Sequence, residues 1–253
     1  MNQHANDDRV TPRSYVTGDY LEYQKKYSQN PRESDKTLLR LMERIDSRLT
    51  SQSGWAGKVL DIGCSNGNFL KYLGHMHTAL RCTGGELFKE IVDSNLRDPD
   101  LKNVAFREMD VLRMEEKDTF DIVIANAVLF RFNDTQLNLA VRNLAAALKP
   151  GGFFFCFEWV HRFDQLLTIT EVTKGRPQGL LLHMRSYQNY RSILGDNGLQ
   201  NVRFEPFEIP IDLEVSDNVE HLGTFTVRTD EGKRLNFRGA LYQPWCHVVA
   251  QKT

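Results

Sequence analysis

A short turn at residues 61–67, Asp-Ile-Gly-Cys-Ser-Asn-Gly, contains the residue types that most clearly predict ligand chemistry. It follows the β-rich apolar run 58–62, and apolar residues at helical spacing resume at Phe69. We therefore expect a strand, a glycine turn and a helix. Such a turn brings backbone N–H groups and a helix N-terminus close to a ligand, an arrangement that suits an anionic group.

The residues of this turn also limit which ligand it binds. Dinucleotide sites use a G-x-G-x-x-G pattern to hold pyrophosphate, whereas Gly63 and Gly67 are spaced G-x-x-x-G and Ser65 holds the place of the middle glycine. Asp61 would repel a pyrophosphate but attract the ammonium of an amino-acid group. The turn therefore disfavours an NAD-type oxidoreductase and favours S-adenosylmethionine as the ligand.

Four further features follow the turn in order. They are Glu86 after a Gly-Gly pair, Asp110 after a predicted third strand, Asn126 at the end of a fourth, and Lys-Pro-Gly-Gly at 149–152 before a fifth. With the turn, they make residues 58–160 similar to the class I S-adenosylmethionine-dependent methyltransferases. The resemblance implies that Glu86 binds the ribose hydroxyls, Asp110 accepts from the adenine amino group and Asn126 lies beside the methionine portion.

The cofactor-binding set predicted from the turn and the resemblance also includes neighbours of these residues. It comprises Asp61, Gly63, Cys64, Ser65, Gly67, Glu86, Leu87, Asp110, Val111 and Asn126. Five of them have a simpler alternative: Asp61 caps the first helix of the sheet domain, Glu86 and Asp110 are solvated carboxylates, and Leu87 and Val111 pack in the core.

Three tyrosines in the N-terminal segment, Tyr20, Tyr23 and Tyr27, fall on one helical face. In the family that this chain resembles, an N-terminal helix often closes over the cofactor. Tyr20 and Tyr27 are therefore candidates to contact the cofactor carboxylate or the acceptor, and an ordinary amphipathic packing helix is the alternative.

Residues after the fifth predicted strand are the candidates for handling the methyl acceptor. His161 is the first choice as a base because its ordinary pKa lies near neutrality, and Glu158 would orient it or bind an acceptor hydroxyl. His183 and Arg185 are expected near the same opening. Two of these residues have a structural alternative: His161 satisfies a backbone carbonyl, and Arg185 lies on the surface.

These residues predict an enzyme that methylates a small-molecule or sugar-like acceptor, at oxygen because Glu158 and His161 are available as bases. Methylation at nitrogen or carbon, and a non-catalytic regulatory protein that keeps the cofactor site, remain alternatives. The sequence assigns no metal ligands.

The amino-acid composition of the chain limits the classes of binding partner that we expect. Lysine and arginine number 32 against 33 acidic residues in the 253-residue chain, so no basic field favours nucleic acid. The apolar runs are too short to span a bilayer, and the polar N-terminus lacks the apolar core of a secretory signal, so we expect a cytoplasmic protein. The four cysteines are far apart in sequence, which predicts reduced thiols mostly in strands.

Predicted strands and helices alternate through the middle of the chain, and these residues lie at their ends. We predict an α/β fold with a doubly wound, mostly parallel seven-stranded sheet and an antiparallel last strand. Residues 1–55 form an N-terminal helical cap over the cofactor, and 56–253 form the methyltransferase domain. Within it, residues 212–240 form an inserted hairpin that covers the acceptor or pairs with another subunit in a homodimer.

Overall fold

The computed structural model describes residues 24, 27, 30–51, 54–174, 176–218 and 222–253. Its helices are α1 (Glu33–Ile45), α2 (Asn68–Met76), α3 (Lys89–Leu96), α4 (Asp134–Ala147) and α5 (Tyr187–Asp196), with short 3-10 turns at Pro99–Leu101 and Leu129–Arg131. The first five strands are β1 (Lys58–Ile62), β2 (Arg81–Glu86), β3 (Ala105–Glu108), β4 (Phe120–Asn126) and β5 (Leu148–His161). The remaining strands are β6 (Leu167–Thr173), β7 (Arg176–Ser186), β8 (Leu199–Pro206), β9 (Thr224–Arg228), β10 (Arg234–Arg238), β11 (Leu241–Tyr242) and β12 (Trp245–Lys252).

Seven strands form the main path of the central sheet, in the order β3-β2-β1-β4-β5-β12-β8. The pairs from β3 to β5 are parallel, whereas β12 is antiparallel to both β5 and β8. The predicted mostly parallel sheet with an antiparallel last strand is therefore confirmed. The strand order reverses beside β1, and in open α/β sheets a ligand binds at this point, beyond the carboxyl ends of the strands.

Apolar residues cover both faces of this sheet. On one face, Leu38 and Met42 of α1 pack with Leu70 of α2 and Val92 of α3. On the other face, residues of α4 and α5 pack against alternate residues of β4 and β5. Burial on both faces explains the consecutive apolar residues of β4, and it fixes which side chains of each strand face α1.

Helix boundaries follow local signals where these are strong. Asn133 and Gln136, three residues apart in the sequence, form a capping box at α4: the Asn133 side chain accepts from Gln136 N–H at 2.9 Å, and the Gln136 side chain accepts from Asn133 N–H at 3.2 Å. Helix α1 begins at Glu33, and Asp35 accepts from Arg32 N–H at 3.3 Å.

Two additions extend the fold beyond the alternating core. Strand β5 continues to His161 and pairs there with β7, which forms an antiparallel hairpin with β6 that the sequence did not predict. Strands β9 to β11 form a separate antiparallel sheet, which contains the predicted hairpin.

None of the helices in the described ranges is long and apolar enough to cross a membrane. All four cysteines are buried and free, as predicted. The division at residue 55, the cytoplasmic location and the homodimer stay predictions.

Candidate active site

The turn between β1 and α2 has a backbone that only a few residue types tolerate. Gly63, Ser65 and Gly67 all have positive φ, at 68°, 51° and 71°. A β-carbon added to Gly63 would lie 2.5 Å from Cγ2 of Val128, so the turn packs directly against the residues after β4. Ser65 adopts a left-handed conformation that costs an L-residue about 1–2 kcal/mol.

Hydrogen bonds from two neighbouring elements hold Ser65 in this conformation. Its N–H donates to Oε2 of Glu86 at 2.9 Å, and its carbonyl accepts from Nδ2 of Asn95 at 2.7 Å. Glu86 Oε1 also accepts from Leu87 N–H at 2.8 Å. Glu86 therefore holds the turn in place from the end of β2. Asn95 was not predicted from the sequence as a residue of this site.

Three buried carboxylates converge beneath the turn. Asp61 and Asp35 are each 2% exposed and Glu86 is 7% exposed. Burial raises the pKa of Asp61 well above its usual value, and the charges of Asp35 and Glu86 raise it further. Oδ1 of Asp61 has no hydrogen-bond partner within the described part of the chain. A buried, unpartnered carboxylate oxygen fits a cationic ligand, because a buried charge is costly unless it is paired.

Asp35 was missed by sequence reasoning. It lies in the first turn of α1, and its Oδ1 accepts from Nδ2 of Asn126 at 3.2 Å. Burial raises its pKa, while Arg32 and the hydrogen bond from Asn126 act in the opposite direction. The contact joins residues 91 positions apart, so the sequence does not reveal it. The sequence shows only that Asp35 is an acidic residue near a predicted helix start, which is a weak signal.

The remaining predicted cofactor residues lie at the same edge in different environments. Leu87 is exposed, whereas Val111 is buried in the core under α4. The Cys64 side chain is buried in the core under α1 to α3. Asp110 Oδ1 accepts from Leu112 N–H at 2.9 Å, and Met109 N–H donates to the Glu86 carbonyl at 2.8 Å, which connects the ends of β2 and β3.

Part of the N-terminal segment lies against the start of α2. The Gln24 carbonyl accepts from Nδ2 of Asn68 at 2.9 Å, and Tyr27 N–H donates to the same carbonyl at 3.0 Å. The Tyr27 ring lies 4.5 Å from the Arg32 guanidinium carbon. Tyr20 lies outside the described residues.

Glu158 lies on the opposite face of the sheet from Asp61 and Asn126, with the core residues under α4 and α5. It is fully buried, and its carboxylate accepts three backbone N–H groups, from Val128 at 3.1 Å, Leu129 at 2.8 Å and Phe130 at 2.6 Å. This placement does not support a base at the acceptor, because the carboxylate is fully buried on the face of the sheet opposite Asp61 and Asn126.

His161 ends β5 on the same face as Phe157, which pairs with Asn126. It is four residues beyond that pair, or roughly 13 Å along the strand. Neither ring nitrogen makes a hydrogen bond of normal geometry to the described residues. Burial lowers the pKa of His161, with a smaller opposing effect from the Phe163 backbone, so the neutral imidazole predominates near pH 7.

His183 and Arg185 lie on β7 with different partners. Nδ1 of His183 lies 3.1 Å from the Thr168 hydroxyl. Arg185 is fully buried rather than on the surface; it donates to the Phe132 carbonyl at 2.6 Å and to Asp134 at 2.9 Å. Arg185 is therefore not free to bind an anionic acceptor.

Aromatic residues occur along β5 between Phe157, which pairs with Asn126, and His161. Phe130 stacks on Trp159 with ring centroids 4.8 Å apart, and Phe157 stacks on Trp245 at 4.5 Å. His247 lies 4.6 Å from Phe157, and burial lowers its pKa to about 4. No cluster of three metal-ligating side chains occurs among the residues that the structure describes.

A family model described as "Methyltransferase domain" matches residues 23–203 of the chain. A curated malonyl-(acyl-carrier protein) O-methyltransferase of Bacillus anthracis is 25% identical over 126 residues, which cover 50% of this chain and 45% of that protein. The chain thus matches less than half the length of that relative.

Solved structures share the fold at low identity. The 1,6-didemethyltoxoflavin-N1-methyltransferase of Burkholderia thailandensis, with bound 1,6-didemethyltoxoflavin and S-adenosylhomocysteine, is 15% identical with a TM-score of 0.54, covering 92% of this chain and 84% of that chain. The (4+2)-cyclase SpnF is 22% identical with a TM-score of 0.52, covering 68% of this chain and 60% of that chain. Because these two proteins are named for different activities and are less than 25% identical to this chain, these likenesses show the fold alone.

Proposed function

Because the chain belongs to the methyltransferase-domain family and uses S-adenosylmethionine, we propose that it methylates an oxygen atom of a small-molecule or sugar-like acceptor. The relative from Bacillus anthracis is named as an O-methyltransferase, which supports oxygen as the attacked atom. The acceptor class also rests on the balanced charge of the chain, which gives no basic surface for a nucleic acid.

The unpartnered Oδ1 of Asp61 is the observation that carries the assignment of the cofactor site. We propose that this oxygen binds the cofactor ammonium, with Asn126 and the turn around Ser65 beside it. Glu86 and Asp110 are proposed to hold the ribose and adenine, because Glu86 ends β2 and Asp110 follows β3 at the same edge of the sheet. When bound, the cofactor supplies an electrophilic methyl group on a sulfonium.

We propose His161 as the base that receives the proton of an acceptor hydroxyl. Its neutral state near pH 7 and its unpartnered ring nitrogens support this role. The aromatic rings on this part of β5 and β12 would help to keep water from the acceptor. Most of the rate enhancement would come from holding the acceptor oxygen in line with the methyl group.

Two segments outside the alternating core are proposed to flank this site. Residues 1–55 cap the cofactor, which the Gln24–Asn68 hydrogen bond supports. Residues 212–240 lie near the acceptor, which an ion pair between Arg238 of β10 and Glu171 of β6 supports, at 3.1 Å.

Ligand binding provides the first test. S-adenosylmethionine and S-adenosylhomocysteine are expected to raise the melting temperature, and NAD is expected to leave it unchanged. Asp61→Asn should weaken S-adenosylhomocysteine binding in calorimetry. Asp46→Asn is the matched control, because Asp46 is also a buried carboxylate but pairs with Arg48 at the far end of α1. Equal affinities in the two variants would contradict the Asp61 assignment.

Methyl transfer provides the second test. Methyl-labelled S-adenosylmethionine is incubated with panels of phenols, sugars, carboxylic acids and amines, and the products are identified by mass spectrometry. Label on oxygen that is lost in His161→Ala, with cofactor affinity retained, supports the proposal. Label on nitrogen or carbon favours the alternative acceptors, and binding without transfer to any compound favours a non-catalytic protein.

A further inference from the structure

The segment that follows β4 has an unusual backbone for its sequence. Ala127 has a φ of 60°, in the left-handed region, although it has a β-carbon. The next three N–H groups, of Val128, Leu129 and Phe130, all point at the Glu158 carboxylate. A strained conformation persists only where surrounding contacts determine it, and these three bonds are such contacts.

The two ends of this turn contact different parts of the candidate site. Val128 packs against Gly63 so closely that a β-carbon there would lie 2.5 Å from it. Phe130 stacks on Trp159 and lies 5.7 Å from the ring centroid of Trp245. Val128 therefore contacts the glycine turn at residues 61–67, and Phe130 contacts the aromatic residues on the acceptor side.

We propose that Glu158 is a positioning residue whose ionised carboxylate holds residues 127–130 in this conformation. It thereby fixes the position of the Phe130 ring, on the acceptor side, relative to the glycine turn at residues 61–67. Glu158 touches neither reactant in this scheme; it acts through Val128 and Phe130. The inference rests on the proposed function, because the acceptor side of the site is assigned there.

The charge state of Glu158 decides how well it can hold the turn. A carboxylate can accept all three N–H bonds, whereas a carboxylic acid has one oxygen that carries a proton and accepts poorly. Burial raises the pKa of Glu158 to about 8, although the three N–H bonds and the charge of Arg185 on β7 act to lower that pKa. Tyr190 of α5 and Cys156 of β5 also face this carboxylate and are neutral near pH 7, because burial raises both pKa values.

Glu158→Gln is an isosteric variant that imitates the protonated state. Its amide oxygen can accept two N–H groups, but its NH2 group faces the third donor. The wild type and the variant should therefore behave alike well below pH 8 and differ above it.

Hydrogen exchange of the backbone tests the holding role without an acceptor. At pH 9, we expect exchange of residues 128–130 to be about tenfold faster in Glu158→Gln than in the wild type, as for the loss of one bond to a charged group. At pH 6.5 the ratio should approach one. A ratio of one at pH 9, or the same elevated ratio at both pH values, would overturn the proposal. Asp46→Asn, which removes a different buried carboxylate, should leave these amides unchanged.

Kinetics test the consequence for the reaction. With any acceptor that the panel identifies, kcat of the wild type should rise with pH through about 8, whereas Glu158→Gln should lack this rise and be about tenfold to hundredfold slower at pH 9. The dissociation constant of S-adenosylhomocysteine should stay within about threefold. Parallel losses of kcat and cofactor affinity at every pH would indicate a merely structural role. If the wild type methylates nothing, the proposed function fails, and the exchange ratios still decide the role of Glu158.

Discussion

Replacing Gly63 by alanine tests the close packing of the glycine turn at residues 61–67 against the residues after β4. Two costs are expected. A left-handed φ of 68° destabilises an L-residue by about 1–2 kcal/mol. A β-carbon 2.5 Å from Cγ2 of Val128 also overpacks the contact, which costs about 1–3 kcal/mol. The free energy of unfolding should therefore fall by about 2–5 kcal/mol in urea denaturation.

Gly198→Ala separates the two costs. Gly198 has a φ of 79°, but its added β-carbon would meet nothing within 4 Å. This control should therefore show only the backbone cost of about 1–2 kcal/mol. The difference between the two variants measures the steric contact between the glycine turn and Val128.

A double-mutant cycle with Val128→Ala then assigns that difference to the named contact. Truncating Val128 removes Cγ2, so Gly63→Ala should cost about 1–2 kcal/mol less in the Val128→Ala background. S-adenosylhomocysteine affinity should fall in Gly63→Ala and recover in part in the double variant. Equal losses in Gly63→Ala and Gly198→Ala, or an additive cycle, would refute the packing argument.

Three further variants test other parts of the structure. Ser65→Gly should retain S-adenosylhomocysteine binding in calorimetry and change the urea unfolding free energy by less than about 1 kcal/mol, since relief of the left-handed strain opposes the entropy of glycine; a large loss would show that the side chain is required. For His247, a pKa of about 4 in the fold against 6.5 when unfolded means that the wild type loses about 3 kcal/mol of stability as pH falls from 6.5 to 4. His247→Phe should lack this loss in urea titrations at several pH values, and an unchanged slope would contradict it. Arg185→Met should lower the melting temperature, because it removes bonds to Asp134 and the Phe132 carbonyl worth about 1–3 kcal/mol; wild-type stability would show that these bonds contribute little.

Local patterns in the sequence were sufficient to predict the sheet and the turn at its centre. The apolar run of β4, the glycines after β1 and the capping box at Asn133 act through neighbouring residues, so their structural consequences can be read in a short window. The β6 strand was not predicted because its residues alternate between exposed and half-buried positions, so no buried apolar pattern marks it.

The composition of the candidate site depended on contacts that the sequence does not contain. Asp35 meets Asn126 across 91 residues, and Asn95 reaches Ser65 from another helix. Glu158 was visible as an acid near the end of a strand, but its role depends on which face of β5 it occupies, and that is set by burial on both faces of the sheet.

The fold class, the glycine turn and the methyltransferase resemblance can be read from the sequence, because strand and helix periodicity and turn chemistry are local properties. Which carboxylates converge on the turn, and which face of the sheet Glu158 occupies, follow only from the packing of distant elements. Those properties depend on burial and on distances between elements far apart in the chain, and packing of the complete sheet fixes both.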